Sequence, residues 1–332
     1  MEVSPGIFLL EVPIPNNSLG HLNAYLIEGK DGWLMIDTGW FTAESFSVLQ
    51  TKLKEIGLSV TDVVTIIITH VHPDHFGLAG KIKQLSPRAE LLMHSWESDM
   101  LESRYVKFSD LSDKISAMLH KHGVPSQDRN VLGSASMPAL EYVTITFPDR
   151  ILYGGEIIST GIFDLEIIWT PGHSPGHICL YEPQNKLLFS GDHILPHITP
   201  NISYHVQSGD NPLGDYLYSL HKLENLSVSQ VLPAHEQIFI GLNERIKQIT
   251  EHHDNRKTEI LNVIGTKPHN AWEIASQLTW SVPGRTWEQF PPYQQRSAVM
   301  ETISHMEYLR WGGKVQRIIN NDGTISYQLI RT

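Results

Sequence analysis

The run DVVTIIITH, residues 62–70, restricts the fold of this chain more than any other segment. Its side chains are almost all apolar or β-branched, the pattern of a strand covered on both faces, so layers of structure must flank a central sheet. The strand leads directly into HVHPDH, where three histidines and an aspartate fall within residues 70–75, and then into the small, helix-ready FGLAG. An extended backbone can aim the alternating His70 and His72 toward one side. Once the chain turns at Pro73, Asp74 and His75 can face a neighbouring spot. Imidazole nitrogen and carboxylate oxygen without sulfur suit zinc, manganese or iron. One turn therefore offers two partial metal sites.

Other strand-like segments end in the same way. GIFLLEV (6–12), NAYLIEG (23–29) and WLMIDTG (33–39) read as strands, followed by a helix whose apolar face is Phe46, Leu49, Leu53 and Ile56 and which Gly57 terminates. Further strands are expected at ELLMHS (90–95), FDLEIIWTPG (163–172), the hairpin HICLYEPQNKLLFSGD (177–192) and VSQVLPAH (228–235). His173, Asp192 and His235 follow the last of these apolar runs. Seven candidate ligands thus sit on loops after four strands, where a rigid sheet can bring them together.

Residues 96–148 interrupt the rhythm with a helical, aromatic-bearing stretch and then a loop-rich one, which reads either as surface helices or as a lid. From residue 255 onward the pattern changes again. An Asn270-capped helix, a second helical stripe through Val299, Ile303 and Met306, and a hairpin around Asn-Asp-Gly suggest a winged-helix-like unit. The expected organisation is a catalytic domain over 1–254, with 96–148 inserted, and a C-terminal unit over 255–332. The formal charge of −11 is uneven: nine Lys/Arg against six Asp/Glu make the C-terminal segment +3 and leave −14 on residues 1–254. Such an acidic main domain disfavours casual nucleic-acid binding. The single cysteine, Cys179, excludes an internal disulfide and lies in the apolar HICLY, as a buried thiol would. No apolar stretch approaches membrane-spanning length, and the N-terminus has an acidic residue where a signal peptide carries positive charge, so cytoplasmic residence is expected.

THVHPDH resembles the His-X-His-X-Asp-His signature of the metallo-β-lactamase superfamily, with His173, Asp192 and His235 at its later motif positions and IDTG (36–39) like its early aspartate turn. The similarity covers most of residues 5–250, is closest to the glyoxalase-II-like branch, and extends to the winged-helix appendage of one subfamily. It implies an αββα sandwich of two packed sheets with a small α+β unit appended. It further implies that His70, His72 and His173 hold one ion, that Asp74, His75 and His235 hold a second, and that Asp192 bridges them. Asp37 and Thr69 would order the ligand loops.

Differences within the superfamily narrow the chemistry. Flavodiiron reductases carry an acid where this chain has His72, persulfide dioxygenases lack the full second site, and true β-lactamases generally lack the bridging aspartate. Hydrolysis remains. Two divalent ions, zinc foremost with manganese or iron as alternatives, would lower the pKa of a shared water, and the resulting hydroxide would attack the carbonyl of a small thioester, ester or lactone. Asp74 and Asp192 are the catalytic carboxylates of this expectation. The alternative is an RNA phosphodiesterase with the C-terminal unit as its platform. His193, His197, Tyr204 and His205 are the candidate substrate contacts. A small acyl substrate is the expected partner, ahead of nucleic acid or a membrane, with a homodimer as the candidate assembly. The four tryptophans Trp272, Trp280, Trp287 and Trp311 point to packing and pocket-shaping by the C-terminal unit rather than DNA recognition.

Overall fold

The computed structural model describes every residue except Ser136, residues 281–284 and residues 331–332. Two sheets form face to face. The first contains β1 (Glu2–Ser4), β2 (Ile7–Pro13), β3 (His21–Glu28), β4 (Trp33–Ile36), β5 (Val63–Ile67), β6 (Glu90–His94) and β7 (Arg150–Leu152), side by side in chain order. Its strands are antiparallel up to β4 and parallel from β4 to β7. Parallel pairing needs crossovers. These are supplied by α1 (Ala43–Glu55), by α2 (Pro73–Phe76) with α3 (Ala79–Leu85), and by the helical insertion. The second sheet has the order β12-β11-β10-β9-β8, from β8 (Ile157–Ser159), β9 (Asp164–Trp169), β10 (Ile178–Glu182), β11 (Leu187–Gly191) and β12 (Gln230–Pro233).

The two-residue period of the strands divides the core. Ile7, Leu9, Tyr25, Ile27 and Ile67 of the first sheet meet Ile178, Leu180, Phe189 and Leu232 of the second. The alternate residues Leu10, Val12, Leu26 and Ile66 face α1 and α3 on the outside, with Leu49, Leu53 and Ile82. On the far face Cys179, Leu188 and Val231 pack beneath α7 (Pro212–Leu223) and the first half of α8 (Leu242–Ile264). Burial pushes the Cys179 thiol up to about 12, which fits a structural rather than a reactive role. The expected sandwich is therefore the observed one. The hairpin expected at 177–192 is antiparallel β10–β11.

Residues 96–148 contain α4 (Ser95–Leu101, beginning one residue earlier), a π-helical turn over Glu102–Val106, α5 (Phe108–Lys121) and α6 (Ser126–Gly133). The segment read as loop-rich thus holds a helix. Beyond α8 follow α9 (Ala271–Ala275), α10 (Pro292–Trp311) and the hairpin β13 (Val315–Ile319) with β14 (Ile325–Leu329). Asn270 caps α9, accepting from the Glu273 N–H at 2.8 Å. α8 runs unbroken across residues 254 and 255, so the boundary expected there falls inside a helix. Leu111, Ile115, Met118 and Leu119 of α5 share a single apolar cluster with Ala271, Val299, Met300 and Ile303 of α9 and α10. Among the described residues no helix is long and apolar enough to cross a membrane.

Candidate active site

The ligand candidates meet where the strand ends of both sheets converge. His70 and His72 follow β5, Asp74 and His75 lie on α2, His173 follows β9, Asp192 follows β11 and His235 follows β12. Ligand atoms of His70, His72, His173 and Asp192 all lie within 4.8 Å of one another, and so do those of Asp74, His75 and His235. The two groups share one side chain. Asp192 presents Oδ2 to His70 Nε2 at 3.9 Å and His173 Nε2 at 3.6 Å, and Oδ1 to His75 Nε2 at 3.5 Å and His235 Nε2 at 3.4 Å.

Hydrogen bonds behind the rings fix which nitrogen faces inward. The Nδ1–H of His173 donates to the Asn201 carbonyl at 3.0 Å, and that of His235 to the His21 carbonyl at 3.0 Å. His75 Nδ1 donates to Asp37 Oδ2 at 2.7 Å. The Thr69 hydroxyl donates to the same oxygen at 2.8 Å and lies 3.2 Å from His70 Nδ1, whose proton it can accept. In each case Nε2 turns toward the centre. His72 is reversed, with Nδ1 at 2.9 Å from His70 Nε2 and 3.1 Å from His173 Nε2. Asp37 adopts a left-handed backbone, φ 57°, and also accepts from the Thr69 N–H at 2.8 Å, so it ties β4 to the ligand turn. Such anchoring of a ligand ring through its far nitrogen is typical of metal-binding histidines.

Burial lowers the pKa of His70 and His72, and neighbouring histidines lower it further, which leaves their rings neutral with lone pairs available. His75 also suffers from desolvation, but Asp37, Asp192 and Asp74 outweigh it and raise its pKa. Desolvation likewise works against the ionised Asp74; His75 and His235 prevail and hold it down at about 2. His75 Nε2, His235 Nε2 and Asp192 Oδ1 are buried and make no hydrogen bond. Three inward-facing polar atoms without partners, among imidazoles and carboxylates alone, fit a pair of divalent ions.

Two residues that the sequence reading passed over complete the scaffold. The ring of His177 accepts the Asp192 N–H at 3.1 Å through Nε2, and its Nδ1 lies 2.9 Å from Thr170 Oγ1. The second histidine of TPGHSPGH was its only signal. Glu97, fully buried, accepts from the Val71 N–H and the Gly176 N–H at 2.8 Å each. It thereby joins the His70–His72 segment to the His173 loop; nothing in WESDML marks it.

A cavity of about 340 Å³ opens beside His72 and His173, walled by Phe108, Leu111, Ile115 and Met300. Of the four candidate substrate contacts, His205 lines it. The others stand elsewhere. His193 is fully buried between the His177 and Tyr216 rings, and the exposed His197 pairs with Glu236 at 3.3 Å. Tyr204 borders a neighbouring cavity with His122 and Arg317.

A two-sheet sandwich carrying two His/Asp clusters at its strand ends defines a metal-dependent hydrolase. Residues 18–235 match the family model of the metallo-beta-lactamase superfamily, and the chain belongs to it. It is similar to the probable metallo-hydrolase YqjP of Bacillus subtilis, 25% identical over 311 residues that span 91% of this chain and 92% of the relative. The acyl-coenzyme A thioesterase MBLAC2 of Gallus gallus is 29% identical over 237 residues, covering 65% of this chain and 73% of its own. A metallo-beta-lactamase family protein from Thermus thermophilus superposes with a TM-score of 0.83 at 28% identity, over 99% of this chain and 100% of that one.

Proposed function

We propose that this protein hydrolyses a small thioester, ester or lactone at a dinuclear centre, within the glyoxalase-II-like branch. His70, His72 and His173 would hold one ion, Asp74, His75 and His235 the other, and Asp192 would touch both, with zinc the first candidate. When bound, divalent ions supply a lowered water pKa and Lewis-acid polarisation of the substrate carbonyl. The chain supplies the rest. The anchored Nδ1 atoms keep the inward nitrogens oriented, and Asp74 stays ionised and can accept a hydrogen bond from the attacking water.

The observation that carries this reading is the cavity: about 340 Å³, with aromatic and aliphatic side chains around two ligand histidines. That is the size and lining of a small-molecule site. An acyl-coenzyme A thioesterase and an atrochrysone carboxyl ACP thioesterase among the relatives support acyl chemistry. With this reading go a winged-helix-like C-terminal unit over 255–332 that shapes the pocket, cytoplasmic residence and a homodimer as the candidate assembly. Metal analysis of the purified protein should approach two ions per chain, and His70→Ala or Asp192→Ala should reduce that content. The metal-loaded protein should turn over members of a panel of acyl thioesters and lactones. Faster, steeply salt-dependent cleavage of single-stranded RNA would replace the reading with a phosphodiesterase.

A further inference from the structure

The cavity beside the two histidines also has a polar lining. Arg296, from the first part of α10, and Arg104, from the π-helical turn over Glu102–Val106, both line it. Nε and Nη1 of Arg296 are shielded from solvent and have no hydrogen-bond partner among the described residues. Arg104 donates from Nε to Gln207 Oε1 at 3.1 Å, and neither arginine forms an ion pair among the described residues. Among the described residues no aspartate or glutamate is on the cavity wall. His205 is there, and burial together with the two arginines pushes its pKa down to about 3, so it stays neutral and adds no charge of its own.

The Arg296 guanidinium, shielded in this way without an anion, is costly for folding alone, and the half-buried Arg104 adds a second unpaired positive charge to the same wall. A buried cation is normally paired, and one left unpaired loses its hydration without recompense. The same planar forks match the oxygens of a carboxylate or phosphate. A π-helical turn is itself an irregularity common at functional sites, and here it carries Arg104. We propose that Arg296 and Arg104 form an oxyanion-recognition subsite, so that the substrate is an acyl compound bearing a carboxylate or phosphate in addition to its scissile carbonyl. The apolar wall of Phe108, Leu111 and Ile115 would hold the carbon chain of such a substrate. The inference rests on the acyl-hydrolase reading only for what the anion is attached to.

The test uses the full-length, metal-loaded protein and matched probes. Calorimetry compares adipate with hexanoate, and 4′-phosphopantetheine with pantetheine; members of a pair present the same group to the metal centre and differ in the second anion. The member of a pair that carries the additional anionic group should, in at least one pair, bind roughly 10- to 100-fold more tightly, the range expected of charge-assisted hydrogen bonds. Which pair shows it distinguishes a carboxylate in the acyl chain from a phosphate in the leaving group. R296Q and R104Q should each shrink that ratio about tenfold or more, and R296K should restore part of it. Circular dichroism of R104Q and R296K establishes that a folded protein is being compared. Equal affinities within both pairs, or a preference that survives R296Q and R104Q alike, would overturn the subsite. The kcat/KM ratio for adipoyl against hexanoyl thioesters provides the second readout. Anion selectivity in binding with no acyl hydrolysis at all would keep the subsite and sink the hydrolase reading, whereas hydrolysis without anion selectivity would do the reverse.

Discussion

Glu97 shows how much of the site depends on a single side chain outside the ligand set. Its two oxygens collect donors from the segments on either side of the cluster, and a fully buried carboxylate persists only when so satisfied. Glu97→Ala would strand the Val71 and Gly176 N–H groups and should cost about 3 kcal/mol of stability. Glu97→Gln should weaken metal affinity about 10- to 100-fold with less effect on the fold. Thermal unfolding and metal titration check both, and unchanged metal affinity in both variants would show that the tie does not matter. Gly172, beside His173, makes a second residue-scale case. At φ +143°, a Cβ there would overlap that of Tyr216, so Gly172→Ala should lower the melting temperature measurably, by an effect of roughly 2 kcal/mol. The candidate ligands were legible because histidine and aspartate after apolar strands announce their chemistry. Glu97 and His177 were not, because their partners lie on loops whose approach is decided by tertiary packing.

At the scale of elements, α10 reaches the His/Asp cluster through one intermediate. Glu301 accepts from Asn201 Nδ2 at 2.8 Å, and the Asn201 carbonyl receives the His173 Nδ1–H. Burial pushes the Glu301 carboxyl up to about 7, against the opposing pull of Arg256 and Asn201. Below its ordinary value of 4.5 the group is protonated in folded and unfolded chains alike. As pH rises from there to about 7, the unfolded chain ionises first, so this group progressively removes stability, and the full penalty is present above 7. Glu301→Gln should therefore flatten the fall of melting temperature across that window relative to the native chain; parallel curves would rule out the assignment. The strands were easy to read, since the period of two separates the inner Ile7 and Leu9 from the outer Leu10 and Val12. α8 was not, because LNERIKQITEHHDNRKTEILNVI is mostly polar and its apolar positions are sparse. The change of pattern after residue 255 suggested a unit beginning there, and α8 runs through that point from Leu242 to Ile264.

Across the whole molecule, the insertion and the C-terminal unit stabilise each other. α5 and α6 bury Leu119 and Leu132 in the cluster that α9 and α10 complete, with Trp272, Trp280 and Trp287 packed at its edge; Trp311 is exposed. Removing residues 255–332 should expose that apolar face and delete Arg296, Ser297 and Met300 from the cavity wall. The expected outcome is poor solubility and lost turnover. A truncated protein that stays soluble and hydrolyses with unchanged KM would remove the packing role. The sequence disclosed both partners of this contact as separate helical patterns, but not their contact, because nothing local records which apolar stripe meets which.

The continuity of α8 also has a mechanical side. Its 23 residues make a rod about 34 Å long, whose first half is clamped by Leu242, Ile246 and Ile249 under the second sheet and whose far end is clamped by Ile260 and Ile264 in the terminal unit. A rod fixed at both ends transmits torque and permits no hinge, so the wall contributed by α10 keeps its distance from the histidines. On the acyl-substrate reading the chamber would then serve as a fixed gauge of chain length, with the irregular turn that carries Arg104 as the one wall outside this rigid frame.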